Sequence, residues 1–86
     1  MSASPALKRK VEQALRAKFP DSSEAVDVSD GIGENIHVVV VSRQFDHMRE
    51  KTKQDLLWGA IDASDLTDAE KVKISLILPY SPEELK

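Results

Sequence analysis

The chain has 86 residues, of which 41% are hydrophobic and 31% charged, a balance typical of one globular domain and not of a disordered chain. The absence of cysteine excludes disulfides, cysteine nucleophiles and thiolate metal sites. The net charge of −3 and the pI of about 5.3 argue against general binding to DNA. We therefore expect a single domain over residues 1–86, with residues 1–4 as a flexible tail.

The first predicted element is a helix that begins at Ser4-Pro5, because serine is a good N-cap and proline suits the first helical position. Apolar residues then recur at helical spacing, and they are Leu7, Val11, Ala14 and Leu15. Pro20 ends the helix, since the residue before a proline avoids the α region.

A β-hairpin is predicted next. Residues 24–29 alternate weakly and indicate an edge strand, whereas residues 36–41 are apolar and β-branched on both faces, which favours a central strand. Between them, residues 30–35 contain Gly31 and Gly33 and have the composition of a turn.

The second half of the chain predicts a helix, a helical turn and a third strand. The helix runs over residues 46–62 with an apolar stripe at Met48, Thr52, Leu56, Ala60 and Ala63, widened by Leu57 and Ile61. Capping-box patterns at residues 67–70 and 81–84 predict a short helical turn and a terminal helix. The third strand covers residues 72–78, with Val72, Ile74, Leu76 and Leu78 on one face.

The resulting order is α-β-β-α-(α)-β-α. A hairpin followed by a helical crossover predicts an α+β domain with a three-stranded mixed sheet and helices on one face. No apolar run approaches the ~20 residues of a membrane span, and residues 1–10 lack an apolar signal segment. We therefore expect a cytoplasmic protein without membrane association. We expect no enzymatic activity, because no catalytic triad pattern is visible.

The order and residues of these elements resemble the BolA family over residues 10–85. The matching segments are the strand HVVVVS (37–42), QFDHM (44–48), KQDLLWGAI (53–61) and the closing KVKISLILPYSPEEL (71–85). The FD-x-M and KQ residues place the resemblance nearest the acid-stress, or IbaG-like, branch. It implies a KH-like fold and a monothiol glutaredoxin as partner, in iron–sulfur handling or stress response.

The resemblance also implies a [2Fe-2S] cluster shared with the glutaredoxin. In the family, one ligand is a histidine near the start of the third strand and the other lies in the hairpin loop. Here these positions carry Lys73 and Asn35 (or Glu34, if the alignment slips by one residue), and a protonated lysine is a poor iron ligand. His37 is the one residue that could act as a metal ligand in their place, and the chain has no cofactor of its own. The glycine usual after FD is His47.

The predicted partner-binding set combines these positions with the end of the third strand and the approach to the second helix. It comprises Asn35, His37, Lys73, Pro79, Tyr80, Arg43, Arg49, Lys51 and Lys53. An alternative is a KH-like regulator that binds nucleic acid through the four basic residues of 43–53, although the chain has no Gly-x-x-Gly loop. A divergent member with a private protein partner is the third possibility.

Overall fold

A computed structural model describes residues 4–85. Its helices and strands are α1 (Pro5–Arg16), β1 (Ala25–Asp30), β2 (Ile36–Val41), α2 (Glu50–Asp62), α3 (Asp68–Lys71) and β3 (Ile74–Tyr80), with 3-10 turns at Arg43–Phe45 and Pro82–Leu85. No helix in this part of the chain has the length and apolar character needed to cross a membrane.

Helix α1 begins where the sequence predicts. The Ser4 hydroxyl accepts a hydrogen bond from the Ala6 amide at 3.2 Å, and Pro5 occupies the first helical position. The predicted apolar face is buried at Leu7, Val11 and Leu15. Of the predicted flexible tail, residues 1–3 lie outside the described residues, while Ser4 is the cap of α1.

The sheet has the predicted connectivity. Its order is β1-β2-β3, with β1 antiparallel and β3 parallel to β2, so β2 is central and β1 is an edge strand. The coarse prediction of an α+β domain with a three-stranded mixed sheet is therefore confirmed. Helices α1 and α2 both contribute to the core against the face that carries Ile36, Val38 and Val40.

The predicted start of the second helix is wrong by four residues. Asp46 has an extended ψ of 131°, and His47 has a φ of +62°, a left-handed conformation that ends the 3-10 turn and delays α2 until Glu50. The buried face of α2 is also shifted from the predicted stripe. Its buried residues are Lys53, Leu57, Ala60 and Ile61, whereas Met48, Thr52 and Ala63 are exposed.

Strand β3 starts two residues later than predicted, and of its predicted apolar face (Val72, Ile74, Leu76 and Leu78) Ile74 alone is buried. A register shift places Ile74 opposite Ile36 but Leu76 opposite His37, so one residue of β3 has no counterpart in β2. Because side chains alternate along a strand, this irregularity moves Leu76 and Leu78 away from the core. The buried residues of β3 are Ile74, Ile77 and Pro79.

The second face of the sheet is called here the open face. Its side chains are His37, Val39 and Val41 of β2, with Leu76, Leu78 and Tyr80 paired beside them on β3 and Ala25, Asp27 and Ser29 on β1. The core cluster instead contains the side chains of the opposite face, together with α1 and α2. The open face therefore carries apolar side chains outside the core.

Both predicted capping patterns take part in local hydrogen bonds. At α3, the Glu70 carboxylate accepts from the Thr67 amide and the Thr67 hydroxyl accepts from the Glu70 amide, which is a complete capping box. At the C-terminal end, the Glu84 carboxylate accepts from the Ser81 amide at 3.0 Å, but the predicted terminal helix is wrong, because the segment forms a 3-10 turn.

Candidate functional site

The predicted site residues separate into two groups at opposite ends of the sheet. At one end, the Ile36 amide donates to the Lys73 carbonyl at 2.8 Å, which brings the start of β3 beside the hairpin turn. At the other end, the Ser42 amide donates to the Tyr80 carbonyl at 3.0 Å. Ile36 and Ser42, which mark the two ends, are about 20 Å apart along the extended chain, at about 3.3 Å per residue.

The hairpin turn is closed by two backbone hydrogen bonds. The Gly31 amide donates to the Asn35 carbonyl at 2.8 Å, and the Asn35 amide donates to the Ile32 carbonyl at 3.1 Å. Gly33 has a φ of +65°, which glycine adopts without steric cost. The turn therefore holds Asn35 at the base of β2, next to His37.

The His37 imidazole packs against the turn. A Cβ atom added at Gly31 would lie 2.9 Å from both Cδ2 and Nε2 of the His37 ring, so the absence of a side chain at Gly31 makes room for the imidazole. His37 is half-buried and lies opposite Leu76 across the sheet. The ring is thus placed at the hairpin end of the open face.

The Lys73 side chain places a cation at the hairpin end of the sheet, where the resemblance implies an iron ligand. Its ammonium lies 3.8 Å from a Glu34 carboxylate oxygen, and its side chain is partly exposed. The described residues contain no group of three or more histidine, cysteine, aspartate or glutamate side chains arranged to hold a metal ion. The chain's other histidine, His47, lies near the opposite end. The hairpin end therefore offers a single imidazole, which does not match the two-ligand pattern that the BolA resemblance implies.

Exposed apolar side chains are concentrated at the hairpin end, and the sequence analysis missed this. Among the described residues, the large exposed hydrophobics are Ile32 (85%), Val72 (78%), Leu76 (41%) and Met48 (36%). Three of these four lie beside the hairpin turn or at the start of β3. The sequence signal that could have indicated this exposure is Ile32, an apolar residue between the two glycines of the predicted turn.

We call the set Ile32, Asn35, His37, Val72, Lys73 and Leu76 the hairpin-end surface. It combines three exposed apolar side chains with an imidazole, an amide and one cation.

The opposite end, called here the helix-turn end, includes residues 42–53 and 79–84. Pro79 is buried, and Tyr80 is half-buried on the open face. Arg43, Arg49 and Lys51 are exposed, with the Lys51 ammonium 2.9 Å from a carboxylate oxygen of Asp55. Of the predicted basic set, these three remain accessible.

Lys53, which the sequence groups with the exposed basic residues, is buried with only 3% of its surface exposed. Its ammonium donates to both Glu84 carboxylate oxygens, at 2.8 and 3.0 Å, and lies 3.0 Å from a Glu50 carboxylate oxygen. The hydrogen bonds that Lys53 donates to Glu84 raise the pKa of Lys53 above its ordinary value of 10.5 and lower the pKa of Glu84 below its ordinary value of 4.5. Its ammonium is therefore held within the protein.

A buried carboxylate reinforces the helix-turn end and was not predicted. Glu24 accepts hydrogen bonds from the Ser42 hydroxyl and from the Gln44 side-chain amide, the latter at 3.0 Å. The Arg16 guanidinium donates to the Glu24 backbone carbonyl at 2.9 Å. These bonds connect α1, the loop before β1 and the 3-10 turn, so we regard them as structural.

Comparison with models of known protein families, with curated proteins and with solved structures finds no match to this chain. The BolA resemblance therefore remains a prediction from the residues named above.

Proposed function

We propose that the chain is a BolA-like adaptor that docks on a monothiol glutaredoxin through the hairpin-end surface and does not supply the usual pair of cluster ligands. Its role would lie in iron–sulfur handling or stress response. The observation that carries this proposal is the position of Ile32, Val72 and Leu76, which are exposed at the end where the resemblance locates the two cluster-ligand positions.

The topology is consistent with this proposal. The order of the described elements and the mixed sheet agree with the α-β-β-α-(α)-β part of the arrangement that a KH-like BolA fold requires, and a 3-10 turn follows β3 where the resemblance implies a helix. In such a fold the hairpin turn and the start of the third strand lie side by side, as Asn35 and Lys73 do here. The proposal of a KH-like fold rests on this arrangement together with the resemblance.

The composition of the hairpin-end surface favours a protein partner over nucleic acid. Apolar side chains gain from burial against another protein, whereas binding to a nucleic-acid backbone depends on cations. Lys73 is the one cation of this surface, and it lies near Glu34. At the helix-turn end the accessible cations are reduced to Arg43, Arg49 and Lys51 by the burial of Lys53.

The test is an anaerobic titration of a cluster-loaded monothiol glutaredoxin with the full chain. Size-exclusion chromatography measures the mass of the complex, and visible circular dichroism reports on the cluster ligands. We expect a heterocomplex whose visible spectrum is unchanged, because Lys73 is not an iron ligand. Ile32→Ser and Leu76→Ser should each weaken the complex about tenfold, as expected for apolar anchors at an interface.

Met48→Ser is the matched control, since Met48 is the one large exposed hydrophobic of the described residues at the helix-turn end. It should leave glutaredoxin binding unchanged. Absence of any heterocomplex would reject the glutaredoxin proposal. A changed spectrum that His37→Ala restores would show that His37 enters the cluster shell, contrary to docking without ligation. A salt-sensitive gel shift with DNA, lost on mutation of Arg43 and Arg49, would favour the nucleic-acid alternative.

A further inference from the structure

The two edge strands of the sheet differ in how far their outer backbone groups are protected from further pairing. In β3, the Gln54 side-chain amide donates to the Ile77 carbonyl at 3.0 Å, Pro79 has no N–H group, and the strand carries the register shift. Covering groups, prolines and bulges are the devices by which natural sheets prevent strand addition. Strand β1 contains neither proline nor bulge, and its six residues pair with β2 in one continuous register.

The backbone groups of Val26 and Val28 form the middle of the β1 edge. The Gly31 amide donates to the Asn35 carbonyl, and the register places the other hydrogen-bonded pairs with β2 at the odd-numbered residues of β1. Val26 and Val28 therefore direct their N–H and C=O groups away from the sheet. No hydrogen bond within the described residues satisfies these four groups, so they can pair with a strand added beside β1.

Helix α1 contacts the chain at the two limits of this edge. The Arg16 guanidinium donates to the Glu24 carbonyl just before β1, and the Lys8 ammonium lies 3.0 Å from a carboxylate oxygen of Asp30 at its last residue. The stretch from residue 24 to residue 30 is about 20 Å long at about 3.3 Å per residue. It therefore accommodates an extended segment of about six residues.

The charge of β1 favours a basic segment over a second copy of this chain. Asp27 is exposed in the middle of the strand, and its carboxylate forms no hydrogen bond or ion pair within the described residues. Residues 21–42 contain five acidic residues and neither lysine nor arginine. Pairing of β1 with β1 of another copy would bring these carboxylates close together, and like charges across two strands are destabilising. A lysine or arginine beside Asp27 is attracted instead.

We propose that the β1 edge binds an extended segment of a protein partner that carries lysine or arginine at alternate positions, and that this segment adds a fourth strand to the sheet. Its backbone would exchange hydrogen bonds with Val26 and Val28. In antiparallel pairing, the residue opposite Asp27 would belong to a non-hydrogen-bonded pair, in which the side chains lie closer together. The edge is separate from the hairpin-end surface, and the proposal does not depend on a glutaredoxin.

The test is an NMR titration of the full ¹⁵N-labelled chain with the blocked peptide acetyl-TVKVKVT-amide. We expect saturable shifts at the amides of Val26 and Val28, and none with the acidic peptide acetyl-TVEVEVT-amide. N-methylation of the three valines of the basic peptide removes the N–H groups that face β1 and should abolish binding. N-methylation of its two lysines alters N–H groups that face away from β1 and should preserve binding.

Asp27→Asn should weaken binding of the basic peptide about twofold to fivefold, because a cross-strand charge pair is lost. Asp65→Asn is the matched control, since it removes an exposed carboxylate in the loop between α2 and α3 and should bind as the wild type does. Unchanged affinity in Asp27→Asn would overturn the choice of a basic partner.

Absence of shifts at Val26 and Val28, equal binding of the acidic peptide, or retained binding of the valine-methylated peptide would each overturn the proposal. Loss of binding on methylation of the lysines would also contradict it, because these N–H groups do not face β1. Shifts of the two valine amides as the concentration of the chain alone is raised would show that β1 pairs with a second copy instead. The peptide comparisons use the wild-type chain, so they decide the proposal whether or not a variant folds.

Discussion

The two ends of the sheet differ in the kind of side chain that they bury. At the helix-turn end, the ammonium of Lys53 and the carboxylate of Glu24 are buried and hydrogen-bonded within the chain. At the hairpin end, Ile32 and Val72 are exposed. Buried, satisfied polar groups specify one conformation, whereas exposed apolar groups contribute little to folding and gain when a partner covers them. We therefore expect substitutions at the helix-turn end to lower the free energy of unfolding, and substitutions at the hairpin end to weaken binding to a partner.

The largest expected contrast comes from Phe45→Ala at the helix-turn end. Phe45 is almost fully buried, and its ring centroid lies 5.4 Å from that of Phe19. Removing the ring should lower the free energy of unfolding by about 3–5 kcal/mol, measured by urea denaturation. Ile32→Ser at the hairpin end is the control and should change it by less than about 0.5 kcal/mol. Equal losses at the two ends would contradict the comparison.

The next largest effect is expected from Ser42→Ala, which tests the hydrogen bonds of the buried Glu24 carboxylate. The Ser42 hydroxyl donates to Glu24 and accepts from the Gln44 amide at 3.0 Å. Its removal takes one donor from a buried carboxylate, so the free energy of unfolding should fall by about 1–3 kcal/mol. Ser29→Ala, on the exposed face of β1, should have little effect in the same denaturation experiment. A neutral result for Ser42→Ala would show that Glu24 is satisfied without it.

Lys53→Met should lower stability at neutral pH by about 1 kcal/mol, because the Glu partners that lose their cation are partly exposed. The sign of the pH effect follows from the pKa directions. The lowered pKa of Glu84 contributes stability above pH 4.5 that is lost as the pH falls below this value. The raised pKa of Lys53 contributes stability below pH 10.5 that is lost as the pH rises through its folded value.

Both pH dependences should be reduced in Lys53→Met, which thermal unfolding at a series of pH values measures. Lys51→Met is the matched control, because it removes only an exposed pair with Asp55. It should follow the wild-type profile. An unchanged acid limb in Lys53→Met would mean that the pairing with Glu84 does not stabilise the fold.

The smallest expected effects come from two left-handed residues, one at each end. Gly33→Ala should lower the free energy of unfolding by about 1 kcal/mol, because the φ of +65° is costly for alanine. The added carbon itself meets no atom within 4 Å apart from its chain neighbours. His47→Gly should raise the free energy of unfolding by up to about 1 kcal/mol, because glycine adopts the observed φ of +62° more easily. Urea denaturation of the two variants measures both changes in the free energy of unfolding. A loss in His47→Gly would show that the imidazole contributes contacts that outweigh the strain.

The sequence predicted part of the candidate site. It identified Asn35, His37 and Lys73, and the parallel pairing of β2 with β3 places these three at one end. It did not predict the exposure of Val72 and Leu76, because both were assigned to the apolar face of a regular strand. The register shift between β2 and β3 reverses that assignment for Leu76, and a bulge depends on strand pairing that local patterns do not report.

By itself, the sequence determined the order of the three α-helices and three strands, the α1 and α3 caps and the central position of β2, whereas the predicted terminal helix is a 3-10 turn. These features follow from local periodicity and capping, which act over a few residues. Only the tertiary structure decided that Lys53 is buried and that the hairpin end carries the exposed apolar side chains. Each of these depends on a segment distant in the chain, such as Glu84 for Lys53, and long-range packing overrides the local preference of a lysine for solvent.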